Sequence, residues 1–278
     1  MKNQSRTQFP QINFSSLDTE KLYFNNSFKS IDFIELLAHF NVICIEIDFP
    51  SPSFKMIFDL VSKIKKNRFN YMQIHIKINE LQETDTLFRN NPYITHISFG
   101  PLVTSIFKEA FRGCSSLEKV SFSDSLTEIC KSAFCMCISL KDLIIPSVTE
   151  IGHSAFFGCK SLKKTFIPNV ANIGPYAFYK CVSLFSTRIP SSVTKIEPFS
   201  FNECISMRFL QIASSVTEIG SCAFFRCNSL TELRLTPSVE KIGQMAFLGI
   251  ELKKVYVPSS LKSIGNKAFP NNAKIITY

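Results

Sequence analysis

Cysteine is the residue type with the greatest chemical potential in this chain, and it occurs ten times among 278 residues. Six of the ten recur at intervals of 22 or 23 residues: Cys114, Cys137, Cys159, Cys181, Cys204 and Cys227. If each interval is one coil of a stacked structure, these thiols form a line with a spacing of about 4.8 Å and parallel Cα–Cβ directions. Parallel directions place the sulfur atoms poorly for a disulfide, and a line does not supply the tetrahedron that zinc requires. We therefore predict that the six cysteines are small buried hydrophobic residues with reduced thiols.

The one local cluster of cysteines consists of Cys130, Cys135 and Cys137. Its C-x4-C-x-C spacing is not that of a zinc finger, and no histidine stands at ligand spacing from it. The sequence therefore predicts no metal site at this cluster.

The four histidines are the other residues suited to acid–base chemistry: His39, His75, His96 and His153. His75 and His96 occupy equivalent outward positions of two predicted strands, which makes them expected neighbours in space. No nucleophile or acid accompanies them in a catalytic arrangement, and the chain has no phosphate-loop, nucleophile-elbow or zinc-protease motif. We predict a protein that is not an enzyme and that has no cofactor, metal site or small-molecule substrate.

These residues are embedded in a repeat of 22–23 residues, whose most regular member is a phenylalanine. The repeated phenylalanines are Phe111, Phe134, Phe156, Phe178, Phe201, Phe224, Phe247 and Phe269. An isoleucine stands five residues before each one, and a valine or leucine stands three residues before that isoleucine. A unit this short cannot bury its own apolar face, so neighbouring copies must stack. We predict that these columns form the core and that the phenylalanines are its spine.

Each repeat also contains a strand pattern that begins at a leucine, as in LEKVSF (117–122) and LKKVYV (252–257). Each coil is therefore predicted to contain a strand, a turn, a short extended piece, and a tight helical turn that carries Ala-Phe. Stacking aligns the strands in a parallel sheet, and the apolar columns cover its second face. A glycine follows the isoleucine in five coils and marks a turn: Gly152, Gly174, Gly220, Gly243 and Gly265.

The run I-G-x-x-A-F-x-x-C-x-S-L-x-x-[IV]-x-[IV]-P resembles the BspA-like leucine-rich repeat family. The resemblance covers about residues 80–278 and is closest between residues 126 and 269. It implies a leucine-rich-repeat solenoid, a right-handed coil with a parallel β-sheet on its concave face. It also implies a role in adhesion or protein binding, often as a surface antigen of bacteria or parasitic protists.

The N-terminal third carries the repeat in a different form. Strands are predicted at 42–49, 71–78 and 94–99, helices at 30–40 and 54–66, and partial disorder at 1–29. We interpret residues 30–100 as longer β–α coils that cap the solenoid, ahead of the short repeats at 101–278. The alternative is that residues 30–100 form a separate small α/β domain.

The charge balance of the chain is basic, with a formal net charge of +9. This balance permits nucleic acid, anionic membranes or acidic proteins as partners and selects none of them. The opening residues, MKNQSRTQFPQINF, contain no apolar stretch of the signal-peptide type, and no run of the sequence has the length needed to cross a bilayer. These features predict a cytoplasmic location, whereas the family resemblance implies the cell surface.

The outward side chains of the predicted strands are the best candidates for a binding site. In the L-x-x-I-x-I pattern the third and fifth positions point away from the core, and large apolar residues there indicate contact with a partner. We predict a protein partner, because aromatic and arginine side chains are the usual interface anchors. The predicted contact residues are Phe166, Arg188, Phe209, Arg234 and Tyr256. The simpler alternative is that these are scattered surface residues, which need no partner.

A second candidate function follows from the basic residues on or beside the same strands. They are Lys119, Lys163, Lys164, Arg188, Arg208, Arg234, Lys253 and Lys254. Such a stripe predicts binding to an anionic polymer, namely a nucleic acid, a sulfated glycan or an acidic lipid. Binding of that kind weakens steeply as the salt concentration rises.

Overall fold

The computed structural model describes residues 22–23, 42–49, 71–78, 81, 88–252 and 254–278. These residues contain nineteen β-strands and no α-helix. The strands are β1 (Leu22–Tyr23), β2 (Val42–Phe49), β3 (Tyr71–Ile78), β4 (Ile94–Phe99), β5 (Ser105–Ile106), β6 (Lys119–Ser121), β7 (Glu128–Ile129), β8 (Asp142–Ile144), β9 (Glu150–Ile151), β10 (Lys164–Phe166), β11 (Asn172–Ile173), β12 (Ser186–Arg188), β13 (Lys195–Ile196), β14 (Phe209–Gln211), β15 (Glu218–Ile219), β16 (Lys241–Ile242), β17 (Lys254–Val257), β18 (Ser263–Ile264) and β19 (Lys274–Thr277).

The strands pair only with equivalent strands of neighbouring coils, and every described pair is parallel. The front strands, which all have three or more residues except β1, form sheets in the orders β1-β2-β3-β4-β6, β8-β10-β12-β14 and β17-β19. The rear strands have two residues each and form sheets in the orders β5-β7-β9-β11 and β13-β15-β16-β18. The amide of Lys141 donates to the carbonyl of Glu118 at 3.1 Å, which links the first two front sheets. The architecture is a parallel-strand solenoid of the leucine-rich-repeat type.

The predicted phenylalanine spine is confirmed and extends one coil further, to Phe88. Neighbouring rings are 5.0–5.7 Å apart between centroids, with interplanar angles of 4–27°. The rings from Phe88 to Phe247 are fully buried. Offset stacking of aromatic rings at this distance stabilises each coil against the next.

The three strands predicted in the N-terminal third are confirmed with the same bounds, as β2, β3 and β4. They pair in order with one another and with β6, so they belong to the same sheet as the first short repeat. The β–α character expected of these coils is not supported, since no helix occurs among the described residues. The predicted helices, 30–40 and 54–66, lie outside the described residues. Of residues 1–29, where partial disorder is predicted, the structure describes only β1, which pairs with β2.

The prediction of a tight helical turn around each phenylalanine is wrong. Hydrogen bonds of 3.2 Å join the amide of Ala133 to the carbonyl of Cys130 and the amide of Cys137 to the carbonyl of Phe134, as in successive tight turns. The residues two before and two after each phenylalanine from Phe111 to Phe247 have φ between 53° and 83°. This left-handed geometry breaks a helix. It turns alternate amides toward the next coil, so that the amide of Phe134 donates to the carbonyl of Ala155 at 2.9 Å.

The five glycines that follow the repeated isoleucine are explained by close contact between coils and not by the turn predicted from the sequence. None of the five glycines has a positive φ, but each lies against the backbone of the preceding coil. A Cβ at Gly243 would lie 2.4 Å from the amide nitrogen of Ser221, and a Cβ at Gly174 would lie 2.7 Å from that of His153. Glycine is therefore required because the coils approach each other closely at this point.

The cysteine column is buried as predicted, and each thiol also makes a contact that the sequence did not predict. Each of the six thiols donates to the carbonyl of a core phenylalanine in the preceding coil, at Sγ–O distances of 2.9–3.3 Å. Burial raises the pKa of Cys114 and of Cys227 to about 12. The same loss of hydration raises the pKa of Cys137, Cys159 and Cys204 well above the ordinary value. The column therefore keeps its protons and supplies hydrogen-bond donors to the core.

We predict that Gly243→Ala lowers the free energy of unfolding by about 1–3 kcal/mol, because the added methyl group must displace the backbone of the preceding coil. Urea unfolding followed by circular dichroism measures the change. Ser263→Ala, at an exposed position of β18, is the control and should change stability by less than about 0.5 kcal/mol. An unchanged midpoint for Gly243→Ala would show that this contact does not set the spacing of the coils.

We also predict that stability falls as the pH rises above about 8.5, the ordinary pKa of an unfolded thiol. Between that value and the folded pKa of about 12 for Cys227, the unfolded state binds fewer protons, so unfolding becomes easier. The loss is about 1.4 kcal/mol per pH unit for each fully buried thiol. Cys227→Val should reduce the loss measured by urea unfolding between pH 8 and pH 10, whereas Ser263→Ala should not. Equal pH slopes for the parent and Cys227→Val would contradict this account of the column.

Candidate partner-binding face

The outward side chains of the front strands form one exposed surface, which we call the front face. Phe166 on β10 is 56% exposed, Phe209 on β14 is 63% exposed and Tyr256 on β17 is 41% exposed. Arg188 on β12 and Arg234, which forms an isolated bridge with Tyr256, are exposed as well. All five predicted contact residues therefore lie at outward positions.

The rear strands provide an internal comparison, because their outward residues are exposed or half-buried on a sheet built by the same repeat. Those residues are all polar: Ser105, Glu128, Glu150, Asn172, Lys195, Glu218, Lys241 and Ser263. Large apolar side chains at outward strand positions thus occur on the front face and not on the described rear strands. Regular coil stacking does not account for this difference.

The five predicted residues fall into three neighbourhoods. Phe166 pairs in register with the exposed Ile144 of β8. Arg188 and Phe209 line a groove of about 650 Å³, which we call the central groove. Arg234 and Tyr256 line a second groove, of about 640 Å³. Both grooves include Thr231 and Glu232, so they are adjacent on the front face.

Two residues beside the predicted set extend the central neighbourhood. The ring of Phe185 meets that of Phe209 edge-on, with centroids 5.3 Å apart, and the guanidinium of Arg208 lies 5.8 Å from the Phe185 ring centroid. From the sequence, Arg208 is predicted only as a member of the basic stripe, and Phe185 is not predicted as a site residue. Phe185 directly follows the leucine of its repeat, so a search of that position for aromatic residues would have found it.

Two threonines occupy inward positions that other repeats fill with valine or leucine. Thr165 and Thr187 stand where β8 has Leu143 and β17 has Val255. Their hydroxyl oxygens are 3.0 Å apart, and both residues line the central groove. The threonines are visible in the sequence as the only polar members of this column, but their exposure to a groove is not.

Tyr278, the last residue of the sequence, contacts the predicted site residue Arg234. The guanidinium of Arg234 lies 5.8 Å from the Tyr278 ring centroid, and the Tyr278 hydroxyl donates to the carbonyl of Leu235. Arg234 is therefore more restrained by its surroundings than its outward position in the sequence indicates.

The predicted basic residues do not make a uniformly positive stripe. Lys119, Lys163, Lys164, Lys254 and the three arginines are exposed, whereas Lys253 lies outside the described residues. Acidic side chains interrupt them: Glu118 forms an ion pair with Lys141 at 2.5 Å, and Asp142 stands beside Lys164 in the ladder. Glu232 lines both grooves. The front face therefore has mixed charge with exposed aromatic rings.

The two histidines on adjacent strands are neighbours, as predicted. The rings of His75 and His96 are 4.1 Å apart between centroids, and the two residues pair in register. Burial, followed by the nearby His75, lowers the pKa of His96. Within residues 88–252 and 254–278, together with the described part of β3, no three His, Cys, Asp or Glu side chains are placed to hold a metal ion.

Across the described part of the chain, no helix combines the length and apolar character needed to cross a membrane.

The solved structures that resemble this chain are bacterial leucine-rich repeat proteins. One from Eubacterium ventriosum has a TM-score of 0.57 and 19% identity, over 82% of this chain and 64% of that one. A Treponema pallidum leucine-rich repeat protein has a TM-score of 0.44 and 20% identity, over 76% and 78% of the two chains. The pneumococcal vaccine antigen PcpA has a TM-score of 0.47 and 21% identity, over 75% and 62%. At these identities the likeness to the Eubacterium ventriosum protein shows the fold alone.

This chain spans less than two thirds of the Eubacterium ventriosum protein and of PcpA. A search of curated proteins found no match. The BspA type leucine-rich repeat region matches in six copies, over residues 53–163, 83–206 and 149–276. Because these matches together cover most of the sequence, the chain belongs to the BspA type leucine-rich repeat family.

Proposed function

We propose that this chain is a non-enzymatic, adhesion-type scaffold that binds a protein partner through its front face. In a right-handed leucine-rich-repeat coil this face is the concave side of the solenoid. The observation that carries the proposal is the contrast between the outward strand positions: those of the front strands include exposed phenylalanine, tyrosine and isoleucine, and those of the described rear strands are all polar. The one exposed large apolar residue on a described rear strand is Ile264, which stands at the inward position of the last of them, β18.

Two exposed phenylalanine side chains of the front face can gain free energy by contact with a partner. Phe166 and Phe209 contribute little to the core, since more than half of each side chain is exposed. Burying the exposed part of such a ring against a partner is worth about 1–2 kcal/mol. Phe185 contacts both Phe209 and Arg208 in the unbound chain. These side chains therefore lose less conformational entropy when a partner binds.

The charge pattern favours a protein over an anionic polymer. Glu118, Asp142 and Glu232 lie among the basic residues of the front face and would repel a polyanion passing along it. A protein surface can match both the aromatic rings and the alternating charges.

The combined variant Phe166→Ser, Phe209→Ser and Arg234→Glu is predicted to lose the proteins that the parent captures from extracts of its own cells. The reason is that it removes two exposed rings and reverses one charge on the front face. The matched control is Glu150→Ser, Asn172→Ser and Lys195→Glu on the rear strands, which should capture the same proteins as the parent. Affinity capture followed by quantitative mass spectrometry measures the loss. If the front variant folds and keeps every partner, the front face is not the binding site.

The salt dependence of the captured complex tests the alternative function. We expect the dissociation constant to change by less than about tenfold between 50 mM and 200 mM salt. A polyanion complex with six or more phosphate-like contacts would weaken by about 10³-fold or more over that range. A change of that size would favour the anionic-polymer function over the one proposed.

A further inference from the structure

The front sheet is interrupted beside the central groove. β14 pairs with β12 on one side, but residues 231–233 of the next coil form no strand, and front pairing resumes only at the Arg234–Tyr256 bridge. The rear strands of the same two coils remain paired, as β15 with β16, and the amide of Phe224 still donates to the carbonyl of Ala246 at 2.8 Å. The coils thus separate on the front side alone, where the central groove opens.

The strands behind the central groove carry polar side chains at inward positions where the repeat is otherwise apolar. Thr187 is 5% exposed, and its hydroxyl and that of Thr165 share one hydrogen bond of 3.0 Å. This bond lies on the core side of the strands, opposite to the outward side chains of Arg188 and Phe209. Valine would fill either position without a polar atom, as Val120 and Val255 do in other coils.

The walls of the central groove carry two guanidinium groups. Arg188 and Arg208 both line it, and among the described residues neither has a carboxylate within ion-pair distance, whereas Arg89 and Arg112 are both paired to Glu109. Guanidinium groups bind carboxylates through two parallel hydrogen bonds. The aromatic ring of Phe209 forms part of the same groove.

We infer that the central groove is a carboxylate-recognition subsite, which takes an aspartate or glutamate side chain from an acidic segment of a protein partner. The inference rests on the proposed protein-binding function and names the chemistry of the partner at one place. The two arginines bind the carboxylate, and the Phe185–Phe209 pair contacts an apolar side chain next to it. Glu232, which also lines the groove, limits the site to a localised negative charge rather than a continuous polyanion.

The test begins with selection of twelve-residue peptides from a random display library on the full chain. The selected peptides should carry an acidic residue within two positions of an aromatic or aliphatic one. The most enriched peptide, labelled with fluorescein, is then titrated with the protein by fluorescence anisotropy. Arg188→Gln with Arg208→Gln should raise its dissociation constant about tenfold or more, because a charge-assisted pair is lost.

Two further variants separate recognition from folding. Thr165→Val with Thr187→Val preserves shape on the core side of the strands, should leave thermal stability unchanged or higher, and should leave the peptide affinity within about twofold of the parent. Lys131→Gln with Lys241→Gln removes the same net charge from exposed positions outside the front face and should leave the peptide affinity within about twofold of the parent.

Each other outcome overturns the inference in a distinguishable way. If peptides bind with equal affinity to the parent and to the arginine variant, but not to Phe166→Ser with Phe209→Ser, the proposed function stands and the carboxylate subsite does not. If a heparin dodecasaccharide displaces the peptide and depends on the same arginines, the groove is a site for an anionic glycan. If no peptide is enriched, or if the enriched peptides lack acidic residues, the subsite is excluded, and the capture experiment decides the proposed function independently.

Discussion

The close contact between successive coils is the constraint on which the rest of this structure depends. Backbone hydrogen bonds connect neighbouring coils on the front, on the rear and through the turns around each phenylalanine. The glycine column allows two backbones to approach at the rear turn, and the phenylalanine rings stack at 5.0–5.7 Å along the interior. Each coil can therefore hold its shape only against its neighbours, as expected for a solenoid.

This constraint divides the side chains of each coil into two groups. The inward ones must fit the spacing of the stack, so they repeat nearly unchanged as phenylalanine, isoleucine, leucine and cysteine. The outward side chains are not constrained by the spacing of the stack, so their residue types reflect contact with solvent or with a partner. This is why the contrast between polar rear positions and aromatic front positions carries information about function.

The sequence predicts the stacked core well, because spacing alone determines which residues recur on the same side of each coil. The 22–23-residue period predicts the stacked phenylalanines from Phe111 to Phe269. It also predicts the parallel strands and the buried cysteines from Cys114 to Cys227. Features that depend on backbone angles were not predictable in the same way. Tyr176 and Met136 adopt left-handed geometry in which glycine would be the usual signal, so the sequence pattern alone predicts helical turns at these positions.

The candidate site was predictable only in part, for a related reason. Alternation along a strand places Phe166, Arg188, Phe209 and Tyr256 outward, and it does so correctly. The grouping of these residues depends on how far neighbouring coils separate between β14 and residue 231, which no local pattern encodes. The positions of Arg208 and Phe185 beside Phe209, and of Tyr278 beside Arg234, likewise arise from contacts between coils.

Hydroxyl-radical footprinting of the chain, alone and with its captured protein partner, is the most direct test of the central claim that the front face is the binding surface. The account predicts that Phe166, Phe209 and Tyr256 lose reactivity in the complex while Tyr176 and Phe225, in the turns, keep theirs. Protection of the turn residues, with the three front-face rings still reactive, would contradict it.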